Sequence, residues 1–488
     1  LAKFDYDIGV IGGGAAGLTV SSGAAQLGAK TLLVEREETL GGDCLHYGCV
    51  PSKTLIKTAH VYHQIKNSTK FGLPQAKIAA ADFKDVAARI RSVIDVIQVH
   101  DSVERFCKLG VQVEFGQAEF TDEHTIRLNG RHYSAKFWVI ATGSSPAVPK
   151  VTGLETTSFL TNKDIFTLDK LPPSMAILGA GPIAIEMAQA FCRLGTKVHV
   201  IQRSNQILSK EDKDVADQSM AILAKEGVNF HLESTVTGIH DLGPSKEIHI
   251  SGPAGRKTTL VASELLVALG RSPNVGNMGL ERIGLDYTPK GIIVDNRLRT
   301  NHKHIFAPGD INGSYMFTHA AGYEGGIVIG NAVFRLPRKA DYTFLPWCTY
   351  THPEIASVGL NEKSAATKGI SYTVWTENFA NNDRALAEGE QAGKIKMLLN
   401  EKERPIGIQI IGPHAGDILG EWVAVLNGNI KLATLASAVH PYPSLAEINK
   451  RVAGTYFSGK IFSDTVKKGL KLFFSLKGGT GENPCTKL

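Results

Sequence analysis

One glycine pattern occurs twice, and it constrains the chain more than any other feature. Tyr6–Ile11 (Y-D-I-G-V-I) reads as a short apolar strand running straight into Gly12-Gly13-Gly14-Ala15-Ala16-Gly17. A stretch of helical character continues to Gly28. A second strand, Thr31–Val34, then ends on Glu35, 18 residues beyond Gly17. In a strand–turn–helix of this kind Gly12, Gly14 and Gly17 let the backbone turn tightly and approach a pyrophosphate, with Ala16 in the same turn. The free N–H groups of the helix start favour negative charge, and Glu35 suits a ribose hydroxyl. The alternative, a tight turn that merely tolerates glycine, leaves the acid unexplained. The pattern returns with Ser174–Leu178, Gly179-Ala180-Gly181-Pro182-Ile183-Ala184, a helical stretch to Gly195 and the strand Lys197–Ile201. Two such units imply an α/β fold with two bound dinucleotides, or one cofactor and one hydride donor.

Composition narrows the class. A chain of 488 residues predicts about three domains. With 43% hydrophobic and 20% charged residues, global disorder is excluded. The 50 glycines follow no G-X-Y period, so collagen is excluded too. The net charge is only +6, and no long basic run interleaves with aromatics, so nucleic acid is not expected as a partner. The uncharged stretch Ile8–Ala29 is broken by glycines and follows Asp5 and Asp7. It fits a buried strand–turn–helix rather than a bilayer helix or a signal peptide. Six cysteines make no disulfide framework, and Cys107, Cys192, Cys348 and Cys485 are scattered. A cytoplasmic protein is expected.

Cys44 and Cys49 are the exception. They lie in Gly41-Gly42-Asp43-Cys44-Leu45-His46-Tyr47-Gly48-Cys49-Val50-Pro51-Ser52-Lys53, close after Glu35. On a regular helix, five residues rise about 7.5 Å, beyond the usual disulfide limit of about 7 Å between Cα atoms. A redox pair here therefore requires a distorted segment, and Gly48 permits it. Pro51 suits a first helical turn, which sets Cys49 near a helix N-terminus and favours its thiolate. The competing readings are two buried thiols or a zinc half-site, and zinc lacks two further ligands at metal spacing. No structural metal is expected.

The segment G-G-D-C-L-H-Y-G-C-V-P-S-K resembles the active-site segment of the flavin-dependent pyridine nucleotide–disulfide oxidoreductases, which include lipoamide dehydrogenase, glutathione reductase and mercuric reductase. The resemblance covers about residues 5–460. It extends to both glycine motifs, Ala141-Thr142-Gly143, Gly270-Arg271, Gly309-Asp310 and Pro353–Gly359. It implies two Rossmann-like dinucleotide-binding domains plus a C-terminal α+β dimerisation (interface) domain. The boundaries expected are 1–155 for FAD and the redox disulfide, 156–274 for NAD(P)H, 275–343 for a return to the FAD domain, 344–460 for the interface domain and 461–488 for a basic tail. It implies FAD at the first motif, with Arg36, Gly42, Thr142, Gly143 and Arg271 around it and Asp310 on the ribitol. Lys53 would stand near the reactive flavin nitrogen and pair with Glu186. Cys49 would face the flavin as a thiolate, and Cys44 would attack the acceptor. A homodimer is implied, each active site including the C-terminal end of the other subunit.

Two departures bear on the acceptor and the donor. Val439-His440-Pro441-Tyr442-Pro443-Ser444-Leu445-Ala446-Glu447 is similar to the H-A-H-P-T-L-S-E segment of lipoamide dehydrogenases, with Tyr442 where they carry their His base. Tyrosine, with a reference pKa of about 10, is a poor base, whereas Tyr at this position is a feature of mercuric reductase. Soft thiolates suit Hg(II), for which Cys44 and Cys49 would be substrate ligands. Against that reading, mercuric reductases end in a paired-Cys tail, and here only Cys485 stands in the tail. The expected activity is mercuric-reductase-like metal reduction. The alternatives are lipoamide-dehydrogenase-like disulfide reduction with His440 as base, diaphorase or quinone reduction, or a non-enzymatic flavoprotein subunit. For both His440 and Tyr442 the plain alternative is interface packing. The strand after the second motif ends Ile201-Gln202-Arg203 with no acid for a ribose 2′-OH, and Arg203 suits a 2′-phosphate. This favours NADPH over NADH. His319 is expected to open a helix near the flavin in a hydrogen-bonding role. After about Phe457 the chain reads as basic and irregular, and Val466–Lys477 as a basic amphipathic helix. That helix either packs on its own domain, the preferred reading, or touches a membrane surface.

Overall fold

The computed structural model describes residues 4–476. The chain divides into two units, Leu1–Leu345 with Thr349–Thr351, and Pro346–Cys348 with His352–Leu488. Cys485 and Lys477 lie outside the described residues.

The first unit opens with β1 (Tyr6–Ile11), α1 (Ala15–Gln26), β2 (Thr31–Glu35), α2 (Gly42–His46) and α3 (Cys49–Lys66). After α4 (Phe83–Gln98) and α5 (Val103–Lys108) come β3 (Val111–Phe115), β4 (Glu119–Asp122), β5 (Thr125–Leu128), β6 (Arg131–Ile140) and β7 (Ser144–Pro146). The main sheet runs β3-β2-β1-β6-β5-β4, with β1 parallel to both β2 and β6. Strand order reverses at β1, so the first glycine turn opens at the switch point of the sheet, where such folds bind ligands. Trp138, fully buried on β6, lies against the bare backbone of Gly9 on β1, where a Cβ would be 2.2 Å from its ring.

The second glycine motif repeats this plan on a smaller sheet. β8 (Ser174–Leu178), α6 (Pro182–Leu194), β9 (Lys197–Ile201), α7 (Lys213–Glu226) and β10 (Asn229–His231) are followed by the antiparallel trio β11 (Thr235–Asp241), β12 (Lys246–Ser251) and β13 (Lys257–Ala262). β14 (Glu264–Val267) closes a parallel sheet of order β10-β9-β8-β14. β15 (Arg271–Pro273) then pairs antiparallel with β7. The short pair β16 (Tyr287–Thr288) and β17 (Gly291–Ile292) leads back to the main sheet through β18 (Ile305–Phe306), which pairs with β6. α8 (Thr318–Ala332) packs on α1.

The second unit holds a sheet of β19 (Pro346–Thr349), β20 (Glu354–Gly359), β21 (Thr373–Asn378), β22 (Lys394–Leu399) and β23 (Pro405–Gly412), in the order β19-β20-β23-β22-β21. Its helices are α9 (Glu362–Thr367), α10 (Asp383–Glu388), α11 (Ala415–Asn427), α12 (Leu432–Ser437), α13 (Glu447–Ile461) and α14 (Asp464–Phe474). The stretch after Phe457, expected to be irregular apart from a helix at Val466–Lys477, is helical: α13 continues to Ile461, and α14 covers the described part of that expected helix. Ser463 restarts the chain there, its hydroxyl accepting from the Val466 N–H as an N-cap. No helix among the described residues is long and apolar enough to cross a membrane.

Candidate active site

Both glycine turns end in helices prepared for an anion. α1 has Gly14 as its N-cap, with no side-chain cap and no acid in its first turn. α6 has Gly181 in the same role and Pro182 as its first residue. A Cβ added at Gly181 would meet no atom within 4 Å, and one at Gly14 would find only Gly42 at 3.9 Å. The space is there for phosphate oxygens and the N–H groups are free to meet them. Gly17 serves packing instead, since a Cβ there would stand 1.8 Å from the Gly12 carbonyl oxygen. Ala16 is buried beside Ala141 and Ala321, and Gly12 and Gly179 have positive φ at the ends of β1 and β8.

Glu35 is buried at the end of β2. Its carboxylate accepts from the N–H groups of Gly13 at 2.6 Å, Arg36 at 2.6 Å and Glu37 at 2.8 Å. Three of about four lone-pair sites are thus engaged in holding the turn, and one remains for a hydroxyl. The Arg36 guanidinium, expected at the cofactor, is exposed and turned onto Glu37 at 3.0 Å.

The distortion expected between the cysteines is a full break. α2 ends at His46 and α3 begins at Cys49. Gly48 makes the join possible, because a Cβ there would lie 2.9 Å from the Asp43 carbonyl oxygen and 3.2 Å from the Cys44 Cα. The two cysteines are free thiols in this structure, the reduced form of the pair. Cys44 hydrogen-bonds to Cys49, which pulls the Cys49 thiol down to about 6 and pushes the Cys44 thiol far up. Burial opposes the Cys49 shift. The Thr318 hydroxyl, 3.4 Å from its sulfur, and the charge of Lys53 reinforce it. The sequence pointed to the helix start as the cause of the thiolate; the hydrogen bond from Cys44 is the larger one.

Lys53 stands one turn after Cys49 on α3. Its Nζ lies 2.9 Å from the buried Glu186 carboxylate on α6 and 4.4 Å from the centre of the Tyr350 ring. The other Glu186 oxygen accepts from the Tyr350 N–H at 2.8 Å. The pairing of Lys53 with Glu186 therefore ties the redox helix to the helix of the second glycine motif.

A second network gathers residues far apart in sequence. Arg271 Nη2 lies 3.1 Å from Asp43, while its Nε donates to Ser144 Oγ at 2.7 Å. Ser144 in turn donates to Asp310 at 2.5 Å. Burial raises the Asp310 carboxyl, with Ser144 and Arg271 holding it back. Thr142 Oγ1 donates to the Asn274 carbonyl at 3.1 Å, and Asn274 N–H donates to the carbonyl of Gly143 at 3.0 Å. These contacts lock the Thr142–Gly143 and Gly270–Asn274 turns together. Gly309 N–H donates to the fully buried Glu324 on α8 at 2.6 Å, and Tyr342 hydroxyl donates to the same carboxylate at 2.6 Å. α8 thus anchors the Asp310 turn at its middle and touches Cys49 at its start. His319, its second residue, is exposed and stacks on Phe317.

Sequence reading passed over Thr318, Asp43, Ser144, Tyr350 and Glu324. Asp43 and Thr318 carried a signal, as neighbours of Cys44 and His319. The others have none, since only the fold brings them close.

The remaining expected residues stand on other elements. Arg203 is exposed just beyond β9, and the neighbouring Gln202 donates to Ser204 at 2.8 Å. In the second unit, His440 Nε2 is 3.1 Å from Glu421, and its buried Nδ1 has no partner among the described residues. Tyr442 is exposed, and its hydroxyl donates to Asp383 at 2.8 Å. That hydrogen bond and the charge of Asp383 raise the phenol above its ordinary value. Glu447 accepts from the Ser444 N–H at 3.4 Å.

Comparison with known proteins gives the same picture. Residues 6–325 match the pyridine nucleotide-disulphide oxidoreductase family, and residues 345–453 match its dimerisation domain. Mercuric reductase of Staphylococcus aureus is 33% identical, covering 93% of this chain and 82% of that protein. Dihydrolipoyl dehydrogenase of Bacillus subtilis is 33% identical over 90% of this chain and 96% of that protein. Among solved structures, the Cu(II) complex of the HOCl-induced flavoprotein disulfide reductase RclA from Escherichia coli superposes with a TM-score of 0.83. It is 25% identical and covers 93% of this chain and 100% of that one. The uncapped helix starts at Gly14 and Gly181, the neighbouring Cys44 and Cys49 and the Lys53–Glu186 pair stand beside these matches, and the chain belongs to the pyridine nucleotide–disulphide oxidoreductases, enzymes that use FAD and NAD(P)H.

Proposed function

We propose that the enzyme passes electrons from NADPH to a soft metal ion held by Cys44 and Cys49, in the manner of mercuric reductase. The observation that carries this reading is the state of Tyr442. Where lipoamide dehydrogenases carry a His base, this chain has a phenol that donates to Asp383 and whose pKa is raised. A group protonated throughout the neutral range cannot take the proton that Cys44 retains. Disulfide interchange needs that proton removed. A thiophilic metal ion displaces it by binding. The names of two similar proteins, a mercuric reductase and a reductase solved with Cu(II), support the same class of acceptor.

Bound FAD would supply the two-electron chemistry between the nicotinamide hydride and the cysteine pair or its metal ion. The chain supplies the rest. Gly12 and Gly14 would receive the flavin dinucleotide's phosphates in a turn that Ala16 and Gly17 pack closed, and Glu35 would take its ribose. Gly42, Thr142, Gly143, Gly270, Arg271, Gly309 and Asp310 line its further course. Lys53, fixed by Glu186, holds positive charge where negative charge develops. Cys49 keeps a thiolate ready, and Cys44 supplies the outer sulfur. For Hg(II) the balance is two electrons: NADPH becomes NADP⁺ with release of one proton, and Hg(II) becomes Hg(0). The homodimer expected of this family is supported by the match of residues 345–453 to its dimerisation domain.

Gly179 and Gly181 receive the nicotinamide dinucleotide, with Arg203 meeting the 2′-phosphate. Arg203→Ala is then expected to lower kcat/KM for NADPH by about tenfold, the loss of one charge-assisted contact, and to leave NADH unchanged. A second reading, disulfide reduction with His440 as base, draws on its contact with Glu421, a pairing that orients an imidazole. NADPH oxidation by the purified enzyme separates the two. Turnover with Hg(II) in excess small thiol is expected to exceed turnover with oxidised lipoamide by about tenfold or more, and to fall in Tyr442→Phe. Lipoamide as the faster acceptor would make it a disulfide reductase.

A further inference from the structure

α14 is an amphipathic helix, and it lies beyond residue 453, where the match to the dimerisation domain ends. No residue of α14 is buried. Val466, Leu470 and Phe473 stand at helical spacing on one face with Phe474 beside them, and Phe473 and Phe474 are 79% and 70% exposed. Lys467, Lys468 and Lys471 fill the opposite side, where Asp464 is the only acid, 3.7 Å from Lys467. The described part of the tail, expected to pack on its own domain, buries none of its residues.

We propose that α14 docks this enzyme on an anionic phospholipid surface. Its 11 residues span about 16 Å, far short of the roughly 30 Å hydrocarbon core, so the helix lies in the interface rather than across it. Leucine and phenylalanine on one face with lysine on the other is the composition of an interfacial anchor. Charge selects the occupant. Three lysines against the one acid Asp464 are a charge that phosphatidylserine headgroups neutralise and that a second copy of the same basic helix does not. Ser463 caps the helix start, so the helix needs no neighbour to define where it begins.

The test is co-sedimentation of the full-length holoenzyme with phosphatidylcholine vesicles, with and without phosphatidylserine. Binding is expected only with phosphatidylserine and is expected to weaken as salt is raised. Removing all three charges (Lys467→Ala, Lys468→Ala, Lys471→Ala) is expected to cut partitioning about a hundredfold, roughly fivefold per lysine. Leu470→Ser with Phe473→Ser is expected to abolish it while flavin content and NADPH oxidation stay unchanged. Three results would overturn the proposal. The first is no sedimentation with phosphatidylserine at low salt. The second is undiminished binding by the Leu470→Ser, Phe473→Ser variant. The third is that this variant halves the particle mass while the wild type ignores vesicles, which would mean that α14 pairs two copies. The wild-type salt dependence decides the matter even where a variant fails to fold.

Discussion

Of the two thiols at the site, Cys49 is the one whose neighbours favour its charged form. Cys44 donates a hydrogen bond to it, Thr318 stands 3.4 Å away, and Lys53 lies one turn further along α3. Because its thiol is pulled down to about 6, the thiolate predominates above that pH and is lost below it. Alkylation of the reduced enzyme by iodoacetamide is therefore expected to titrate with a midpoint near 6. Thr318→Val removes one donor and is expected to raise that midpoint by about half to one pH unit. A midpoint near the ordinary thiol value in the wild type would mean that the charge sits elsewhere. The cysteines and Lys53 were legible in the sequence because their spacing is local. Thr318 is 269 residues from Cys49, and only the packing of α8 brings it there.

At the scale of elements, the break between α2 and α3 sets how close the two sulfurs come. Gly48→Ala would drive a Cβ to 2.9 Å from the Asp43 carbonyl oxygen, a distance that only backbone movement relieves. The variant is expected to weaken the Cys44–Cys49 hydrogen bond, and its alkylation midpoint should rise well above that of the wild type. Reduction by NADPH should slow with it. An unchanged midpoint would show that the join tolerates a side chain. The two strand–glycine–helix units were readable because each is a continuous stretch of chain. The β7–β15 pair was not, although it sets Arg271 beside Ser144 and Asp310. Ser144–Pro146 and Arg271–Pro273 are three-residue strands, too short to show a period, and they gain their structure from each other. Past Phe457 the sequence showed the amphipathic helix over Val466–Lys477 but not the continuation of α13 to Ile461. The i, i+4 spacing of Val466 and Leu470 gave α14 a face, while the end of α13 was lost in a stretch read as basic and irregular.

For the whole molecule, the family's dimerisation domain predicts a particle of twice 52.5 kDa, measurable by light scattering. If each active site takes its C-terminal residues from the other subunit, mixed dimers of Cys49→Ser and Tyr442→Phe chains should recover part of the metal-reducing activity that each parent lacks. Recovery absent from verified mixed dimers would assign both residues to sites within one subunit. The hydrogen bond between the two thiols also governs how the molecule exchanges protons with its surroundings. With Cys44 protonated and Cys49 ionised, the reduced pair stores two electrons and one proton near neutrality, and two protons below about 6. Its potential then drops by about 30 mV per pH unit near neutrality and by about 59 mV per unit in acid. The nicotinamide couple, which also exchanges two electrons with one proton, has the smaller slope throughout. Around neutral pH the two potentials move together, so the downhill step from nicotinamide to sulfur keeps a constant height. Only acidification past the Cys49 midpoint steepens it.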